Sequence, residues 1–268
     1  MLTFKIKGKL IGCVMVMFFV IFAVFVAVIV TKTTEMAQNE AYELLLARSA
    51  AEAKAVETEI GGAVQTAKTL AQTLGSYESI TDADSRRGLF NEMLQTTIAA
   101  NPQYLTVWTC WEPNALDGLD EKYKNTLFHD ATGRYIPTFT NTGGTVTAEA
   151  LVGYDKPNEG DYYFASFHSG KTLVSEPYKY NLNGKETLLI SISTPVKNKA
   201  GRTVGVVGID MSADVLNERN DQVNIFETGV GKLVSGGGMM VAAQHRQVIG
   251  KPDADFQDSA GQERLKKI

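Results

Sequence analysis

Hydrophobic and polar residues divide the start of this chain into two segments with different patterns. Residues 10–30, LIGCVMVMFFVIFAVFVAVIV, carry no charge. A helix rises about 1.5 Å per residue, so roughly 20 apolar residues are enough to cross a hydrocarbon layer of about 30 Å. The run is too long for the apolar part of a cleaved signal peptide, and no small-residue cleavage site follows it. We therefore predict an uncleaved transmembrane anchor rather than a buried core helix.

Charges on either side of this run predict its orientation. Lysines at positions 5, 7 and 9 precede it without an acid, whereas Glu35, Glu40 and Glu43 follow it with only Lys32 among them. Basic residues are retained on the cytoplasmic side of a membrane. We therefore expect the N-terminus in the cytoplasm and the rest of the chain outside, because no second spanning run occurs in residues 32–268.

The next segment, residues 33–74, has the composition and the periodicity of one long helix. It lacks proline and is rich in Ala, Glu, Leu, Gln and Lys, which are good helix formers. Small and apolar residues recur every seven positions in two rows, which predicts lengthwise packing. The first row is Leu46, Ala53, Ile60, Ala67 and Leu74, and the second is Ser49, Val56, Ala63 and Leu70. Two partners stay open: the core of the same domain, or a second copy of the chain in a homodimer.

After Gly75 the pattern changes to one helix and then to short strands. Residues 85–100 are amphipathic and end before Asn101-Pro102, which stops a helix. β-Branched and aromatic segments between turn residues follow, with a short helix inserted at residues 159–169 and a strong hairpin signal at Asn183-Gly184. The predicted strands are residues 105–111, 134–140, 145–150, 172–175, 178–180, 187–195 and 203–211. This order predicts an α+β fold with helices packed on an antiparallel sheet.

A second, shorter unit begins after Ser212. A helix over residues 213–219, strands over 232–235 and 239–243, and a polar tail repeat the earlier order in reduced form. A second sheet of this type needs more strands than these residues provide. We therefore expect an incomplete second module and interpret the sequence as the N-terminal piece of a longer protein.

Composition and motifs argue against several functional classes. The 26 basic and 30 acidic residues give a net charge of −4 and provide no basic surface for nucleic acid. The two cysteines, one in the anchor and one in a strand, cannot form a disulfide framework. The histidines are isolated, with His129 expected in a surface turn, and no catalytic, nucleotide-binding or metal-binding spacing occurs in the sequence. We expect a protein that is not an enzyme and that needs no cofactor or metal.

Two features lie in and just after the strand predicted for residues 105–111. Trp108 and Cys110 share one face of this strand and Trp111 takes the other, so that one face belongs to the core and the other lines a pocket. Asp117 and Asp120 lie around a glycine but fall well short of a calcium-binding loop. We predict that these two acids are solvated.

Five short motifs in a fixed order resemble one known family. They are Gly160-Asp161-Tyr162-Tyr163, Ser169-Gly170-Lys171, Ser175-Glu176-Pro177-Tyr178, Ile192-Ser193-Thr194-Pro195-Val196 and the closing Gly205-Val206-Val207-Gly208-Ile209-Asp210. With the anchor and the long helix before them, they resemble the double Cache sensor region of bacterial methyl-accepting chemotaxis receptors. Related regions occur in membrane histidine kinases and diguanylate cyclases. The resemblance implies a membrane-distal PAS-like module that holds a ligand, a membrane-proximal module that relays binding, and a cytoplasmic signalling part.

The pattern and the resemblance together divide the chain into five parts. They are a cytoplasmic N-terminus (1–9), a transmembrane signal anchor (10–31), a long periplasmic helix (32–75), a membrane-distal PAS-like Cache module (76–212) and the start of a truncated membrane-proximal Cache module (213–268). The expected location is the bacterial inner membrane, with the sensor region in the periplasm or outside the cell.

The resemblance also indicates candidate ligand-binding residues. In members that bind amino acids, an aspartate in the closing motif and a Tyr-x-Asp hold the ligand ammonium. Asp210 and Tyr178 match this pattern, but Tyr180 stands where the second aspartate is expected. The Arg-x-Trp-Tyr stretch that holds the ligand carboxylate falls on Glu159-Gly160-Asp161-Tyr162, so only its tyrosine is present.

This departure predicts a different ligand. Glu159 and Asp161 repel a carboxylate, because like charges in a closed site cost several kcal/mol. We predict a cationic, amine-like or neutral ligand, with Asp210 and one of these acids as counter-charges and aromatic faces as walls. The predicted walls are Tyr162, Tyr178 and Trp108. The alternative is that Glu159 and Asp161 only cap the short helix, because acids favour a helix N-terminus.

These features predict the sensor region of a transmembrane chemoreceptor, whose partners are a small molecule, the membrane and a second copy of the chain. A ligand signals only if it stabilises one arrangement of the long helix over another, typically by about 1–3 kcal/mol. One alternative is the sensor region of a histidine kinase or diguanylate cyclase. Another is a membrane-anchored binding protein without signalling output.

Overall fold

The computed structural model describes residues 6–182, 184–225 and 229–256. Asn183 of the predicted hairpin, the lysine at position 5 and the polar tail from residue 257 lie outside the described residues. The chain divides into two compact units, Met1–Ala55 and Val56–Ile268.

One helix, α1 (Ile6–Gly75), contains both the predicted anchor and the long helix after it. Its side chains in residues 10–30 are exposed. By length and composition this helix is able to cross a membrane. The helix ends at Gly75, the residue at which the sequence pattern predicts its end.

The heptad rows of α1 have different surroundings in the two units. In the second unit Val56 and Ile60 are partly buried against the core of the domain and the later members of both rows are buried, as the own-domain interpretation predicts. These buried residues are Ala63, Ala67, Leu70 and Leu74. In the first unit Leu46, Ser49 and Ala53 are exposed, so pairing with a second copy stays a prediction for that part of the helix.

Most of the elements after α1 follow the predicted order. The α-helices are α2 (Arg86–Ala100), α3 (Asp120–Tyr123), α4 (Asp161–Ser169) and α5 (Ala213–Asp221). The strands are β1 (Thr106–Trp111), β2 (Pro137–Thr142), β3 (Thr145–Ala150), β4 (Leu173–Val174), β5 (Tyr178–Leu182), β6 (Lys185–Lys197), β7 (Thr203–Ser212), β8 (Asn224–Ile225), β9 (Gly229–Val230), β10 (Lys232–Val234) and β11 (Met240–Ala243). Of these α-helices and strands, α3, β8 and β9 were not predicted.

Strands β1 to β7 form one antiparallel sheet. The strand order is β3-β2-β1-β7-β6-β4, and β5 pairs with another part of β6. β6 and β7 are neighbours in the sequence and pair from Leu189↔Ser212 to Lys197↔Thr203. An apolar N-terminal helix followed by an antiparallel sheet confirms the predicted α+β fold.

The two faces of this sheet pack differently, because successive side chains of a strand point to opposite faces. Trp111 and Ile192 lie on the face that packs on α1 and α2 in the main apolar core. Trp108 and Cys110 lie on the other face, in a second cluster that includes residues of α4. The predicted separation of Trp108 and Cys110 from Trp111 is confirmed.

Two predictions about polar loop residues were wrong. Asp117 and Asp120 are not solvated, because Arg87 of α2 donates to both carboxylates, at 2.7 Å and 2.6 Å, and is only 2% exposed. His129 does not lie at the surface; it is buried and stacks on Tyr123. The sequence pattern did not reveal the ion pairs, because Arg87 lies 30 positions from Asp117.

After β7 the chain forms α5 and two small two-stranded sheets, β8–β9 and β10–β11. The Ser212 hydroxyl caps α5 by accepting the backbone N–H of Asp214 at 3.1 Å. Asn217 of α5 accepts the backbone N–H of Ala243 at 3.0 Å, which holds β11 on the helix. The β10–β11 pair was predicted, whereas the two-residue strands β8 and β9 were too short to recognise from their sequence.

Candidate ligand-binding site

A cavity of about 350 Å³ lies between α4, the segment from β4 to β5, and β6. This volume falls within the range of about 300–1,000 Å³ that small-molecule sites occupy. Its lining combines aromatic, hydroxyl, acidic and aliphatic side chains. They include Tyr162, Tyr178, Ser166, Ser175, Ser191, Ser193, Glu159, Asp161, Glu176 and Leu173.

Asp210 lies on β7, behind the wall of this cavity, and is 5% exposed. Its carboxylate accepts the hydroxyls of Thr106 and Ser191, each at 2.5 Å, and the indole N–H of Trp108 at 3.1 Å. Burial raises the pKa of Asp210, and these three hydrogen bonds oppose that rise. Within the described part of the chain, Asp210 therefore has neutral donors and no ion-pair partner.

Ser191 connects Asp210 with the cavity. It lines the cavity, donates to Asp210, and shares a hydrogen bond of 2.7 Å with the hydroxyl of Tyr178. A serine hydroxyl has one proton, so Tyr178 is the donor in its bond with Ser191. A ligand at the inner end of the cavity therefore meets the Tyr178–Ser191 pair in front of Asp210.

Aromatic rings enclose this inner end. The ring of Tyr162 is parallel to that of Tyr178, with centroids 6.3 Å apart, and meets Trp108 and Tyr180 edge-on at 5.1 Å and 5.7 Å. Burial raises the pKa of Tyr162 and Tyr178 well above the usual value of a phenol, so both stay neutral. The hydroxyls of Tyr162 and Tyr180 donate to the carbonyl of Val152 at 3.1 Å and 3.2 Å, which fixes both rings.

A glycine of the closing motif determines the position of Trp108. Trp108 on β1 lies opposite Gly208 on β7. A Cβ atom on residue 208 would lie 2.1 Å from a carbon of the indole ring. The indole crosses β7 only because residue 208 has no side chain, and this position brings its N–H to Asp210.

The mouth of the cavity is acidic. Glu159, Asp161 and Glu176 line it and are exposed, and none of the described lining residues is Lys, Arg or His. Lys156, outside the lining, pairs with Glu159 at 3.2 Å. Asp161 is also in the first turn of α4, but no side-chain hydrogen bond caps this helix. The two interpretations of Asp161, helix terminus and cavity lining, are therefore compatible.

A polar network fixes α4 over the sheet. Arg134 donates to the hydroxyl of Tyr163 and to Glu112, each at 2.8 Å, and the Tyr163 hydroxyl also donates to Glu112. Tyr163 is the residue after Tyr162, so this network sets the position of the aromatic wall. The sequence alone gave no reason to connect Arg134 with the site.

The structure places the seven predicted site residues in two groups. Tyr162, Tyr178, Glu159 and Asp161 line the cavity, whereas Trp108, Tyr180 and Asp210 lie behind that lining. The other nine residues that line the cavity were missed, among them Ser175, Glu176, Ser191 and Ser193. The alternation of Ser191 and Ser193 in a predicted strand was the available signal, since it places both on one face. In the described residues no group of three or more His, Cys, Asp or Glu is arranged for a metal ion.

An antiparallel sheet with a helix-covered core on one face and a polar, aromatic cavity on the other defines a PAS-like ligand-sensing module. Residues 90–218 match the family model described as the methyl-accepting chemotaxis protein-like first PDC sensor domain. Methyl-accepting chemotaxis protein TlpQ of Pseudomonas aeruginosa is 27% identical over 57% of this chain and 23% of its own length. The predicted resemblance to a chemoreceptor sensor region is therefore confirmed, and the chain spans less than a quarter of TlpQ.

Solved structures agree with this assignment. The extracellular domain of the histidine kinase mmHK1S-Z2 is 28% identical, with a TM-score of 0.72 over 84% of this chain and 82% of that chain. Methyl-accepting chemotaxis protein X is 26% identical, with a TM-score of 0.66 over 81% of this chain and 79% of that chain. A more distant chemoreceptor domain, PctB of Pseudomonas aeruginosa in complex with L-Arg, is 20% identical with a TM-score of 0.54 over 80% of this chain and 69% of that chain, a likeness of fold.

Proposed function

We propose that this chain is the extracytoplasmic ligand-binding part of a transmembrane chemoreceptor and that its cavity binds a small organic cation carrying an ammonium group. The N-terminus lies in the cytoplasm, the apolar part of α1 crosses the inner membrane, and the sensor module lies in the periplasm. Two copies pair along the exposed heptad rows of α1. The module binds its ligand without changing it chemically.

The choice of a cation rests on Asp210. This carboxylate is buried with neutral donors only, beside a cavity whose described lining contains no basic side chain. A buried charge is stabilised by hydrogen bonds together with a counter-charge, and a ligand ammonium at the inner end of the cavity supplies that counter-charge. The faces of Tyr162 and Tyr178 stabilise a cation further through their π-electrons.

The acidic mouth favours the same ligand class. Glu159, Asp161 and Glu176 create a negative potential that attracts cations and repels carboxylates. The Arg-x-Trp-Tyr stretch that holds a ligand carboxylate in amino-acid-binding members is replaced by Glu159-Gly160-Asp161-Tyr162 in this chain. PctB, whose structure contains L-Arg, supports a small-molecule ligand in this fold.

Chemotaxis is the signalling output that the named relatives support, since TlpQ is a methyl-accepting chemotaxis protein. A histidine kinase is the second candidate, because mmHK1S-Z2 shares the fold over most of this chain. Both outputs use the same sensing module, so the ligand proposal does not depend on the choice between them.

Titration calorimetry of the chain in detergent micelles tests the ligand class with four probes. Tetramethylammonium and 1,4-diaminobutane carry only positive charge, 4-aminobutanoate is a zwitterion, and succinate carries only negative charge. We expect the cations to bind more tightly than 4-aminobutanoate, and succinate not to bind. Tighter binding of succinate or 4-aminobutanoate than of both cations would contradict the proposal.

A further inference from the structure

We propose that Glu176 transmits occupancy of the cavity to the small β10–β11 sheet, because a bound cation draws its carboxylate away from the backbone N–H of Gly237. This inference rests on the cation-binding cavity proposed above. It adds a route by which binding changes the segment after β7.

The side chain of Glu176 contacts both the cavity and the turn between β10 and β11. It lines the mouth of the cavity, and its carboxylate accepts the backbone N–H of Gly237 at 3.1 Å. Gly237 lies in the turn between β10 and β11, 61 positions along the chain. Glu176 therefore joins the cavity directly to the small sheet.

The absence of a side chain at Gly237 allows the close approach of the Glu176 carboxylate. A Cβ atom on residue 237 would lie 2.3 Å from the Oε1 atom of Glu176. The conflict is with the end of a flexible side chain, so an alanine there moves the carboxylate aside and leaves the turn intact. Gly237 does not have a positive φ, so its backbone conformation accepts alanine.

Hydrogen bonds connect Glu176 with the inner end of the cavity. Its neighbour Ser175 exchanges two of them with Ser191: the Ser175 N–H donates to the Ser191 carbonyl, and the Ser191 N–H donates to the Ser175 hydroxyl, both at 2.9 Å. Ser191 in turn donates to Asp210. A contiguous path therefore runs from Asp210 through Ser191 and Ser175 to Glu176.

Further hydrogen bonds stabilise the turn that contains Gly237 and connect it with the segment at Asp253. The Gly238 N–H donates to the Ser235 carbonyl at 3.0 Å, and the Asp253 N–H donates to the Gly238 carbonyl at 2.8 Å. β11 is held on α5 by Asn217. Release of the Gly237 N–H therefore acts on a turn that belongs to the β10–β11 sheet and is hydrogen-bonded to the segment at Asp253.

The charge of Glu176 determines how a bound cation changes this contact. Within the described part of the chain, Glu176 forms no ion pair with Lys or Arg, and a carboxylate binds an ammonium more strongly than a neutral N–H. A cation at the cavity mouth thus competes with Gly237 for the carboxylate of Glu176, whose Oε1 atom accepts the Gly237 N–H. Since coupling is reciprocal, loss of the Gly237 contact must strengthen cation binding.

The first test needs no ligand. The chain in detergent micelles is labelled with ¹⁵N-glycine, and the Gly237 amide is followed by its chemical shift and its hydrogen exchange. In E176A we expect an upfield shift and about fivefold faster exchange, as for the loss of one hydrogen bond, whereas E176Q keeps an acceptor and stays close to the wild type. E186Q, in an exposed strand pair with Lys179, is the matched control and leaves Gly237 unchanged. Wild-type exchange of Gly237 in E176A would overturn the proposal.

The second test examines the path and the competition. S175A should move the Gly237 signal without ligand, and an unchanged signal would remove the link with Asp210. Saturation of the wild type with 1,4-diaminobutane should change the Gly237 signal as E176A does, and G237A should bind this probe about threefold more tightly. Binding without a change at Gly237 overturns the competition. Failure of the probe to bind contradicts the cation-binding cavity, while E176A and S175A still decide whether Glu176 links the two places.

Discussion

Two sites of buried carboxylate in this domain differ in one respect. Asp117 and Asp120 surround Arg87, which donates to both of them. Asp210 receives three hydrogen bonds, all from neutral groups. Both carboxylates of the first site bind a cation of the same chain, whereas Asp210 has neutral donors and a cavity beside it. The absence of a counter-charge, rather than burial alone, therefore separates the proposed ligand site from a structural ion pair.

Arg87 makes further contacts in addition to its two ion pairs. Its guanidinium also donates to the carbonyl of Gly133 at 2.9 Å and lies 4.3 Å from the ring centroid of Tyr123. These contacts join α2 to the loop between β1 and β2. Both carboxylates of the cluster are therefore paired within the chain, so the cluster serves stability.

Replacement of Arg87 by alanine should have the largest effect. It leaves two buried carboxylates without a cation, and removal of one partner of a buried ion pair costs about 3–5 kcal/mol. Urea unfolding of the chain in detergent, followed by the fluorescence of the two buried tryptophans, measures this loss. K179A removes an exposed pair and should cost less than about 1 kcal/mol. Equal losses in R87A and K179A would remove the contrast between the two sites.

Replacement of Asp210 by asparagine should weaken binding and spare the fold. Asparagine keeps an oxygen for Ser191 and Trp108 and turns its amide N–H towards Thr106, but it carries no charge. The affinity for 1,4-diaminobutane should fall at least about 30-fold, whereas the free energy of unfolding of the ligand-free chain should hold or rise. Calorimetry and urea unfolding measure the two quantities. D155N, an exposed acid in the loop before α4, is the control, and an equal loss of affinity in both variants would argue against Asp210.

Two replacements of Tyr178 separate the contribution of its ring to ligand affinity from that of its hydroxyl. Y178L removes the ring, and loss of a cation–π contact of about 0.5–2 kcal/mol corresponds to roughly 2- to 30-fold weaker binding of tetramethylammonium. Y178F keeps the ring and removes only the hydroxyl that donates to Ser191, so its loss should be smaller. Calorimetry of both variants measures the difference. If Y178F loses as much as Y178L, the hydroxyl rather than the ring makes the contact.

A change of pH near neutrality should have the smallest of the predicted effects. Burial raises the pKa of Asp210, so a falling pH protonates it before an ordinary carboxylate and weakens cation binding. In the ligand-free chain the sign is opposite. The folded-state pKa exceeds the unfolded one, so the contribution of Asp210 to stability is complete below the unfolded pKa and is lost as the pH rises through the folded pKa. Calorimetry and urea unfolding between about pH 4 and 8 should show affinity rising while this part of the stability falls. D210N should lack both changes, and their persistence in D210N would assign them to another group.

Much of the fold was predictable because its signals are local. The apolar run, the helix end at Gly75 and the alternation in β6 and β7 depend on residues a few positions apart, and each element appears where its pattern predicts it. At the candidate site, the aromatic residues Tyr162 and Tyr178 could be selected from the sequence, and both line the cavity. Serine and glutamate give no comparable signal, and only strand pairing places Ser191 beside Asp210.

Local patterns in the sequence were enough to predict a membrane-length apolar helix, an α+β order of elements and the acids Glu159 and Asp161 at the start of a short helix. Tertiary structure decided which buried acids receive a cation. Arg87 reaches Asp117 across 30 positions, and Thr106 reaches Asp210 across 104. The physical reason is that secondary structure follows from neighbours within one or two turns, whereas the electrostatic partner of a buried charge is set by whichever distant segments the folded chain brings against it.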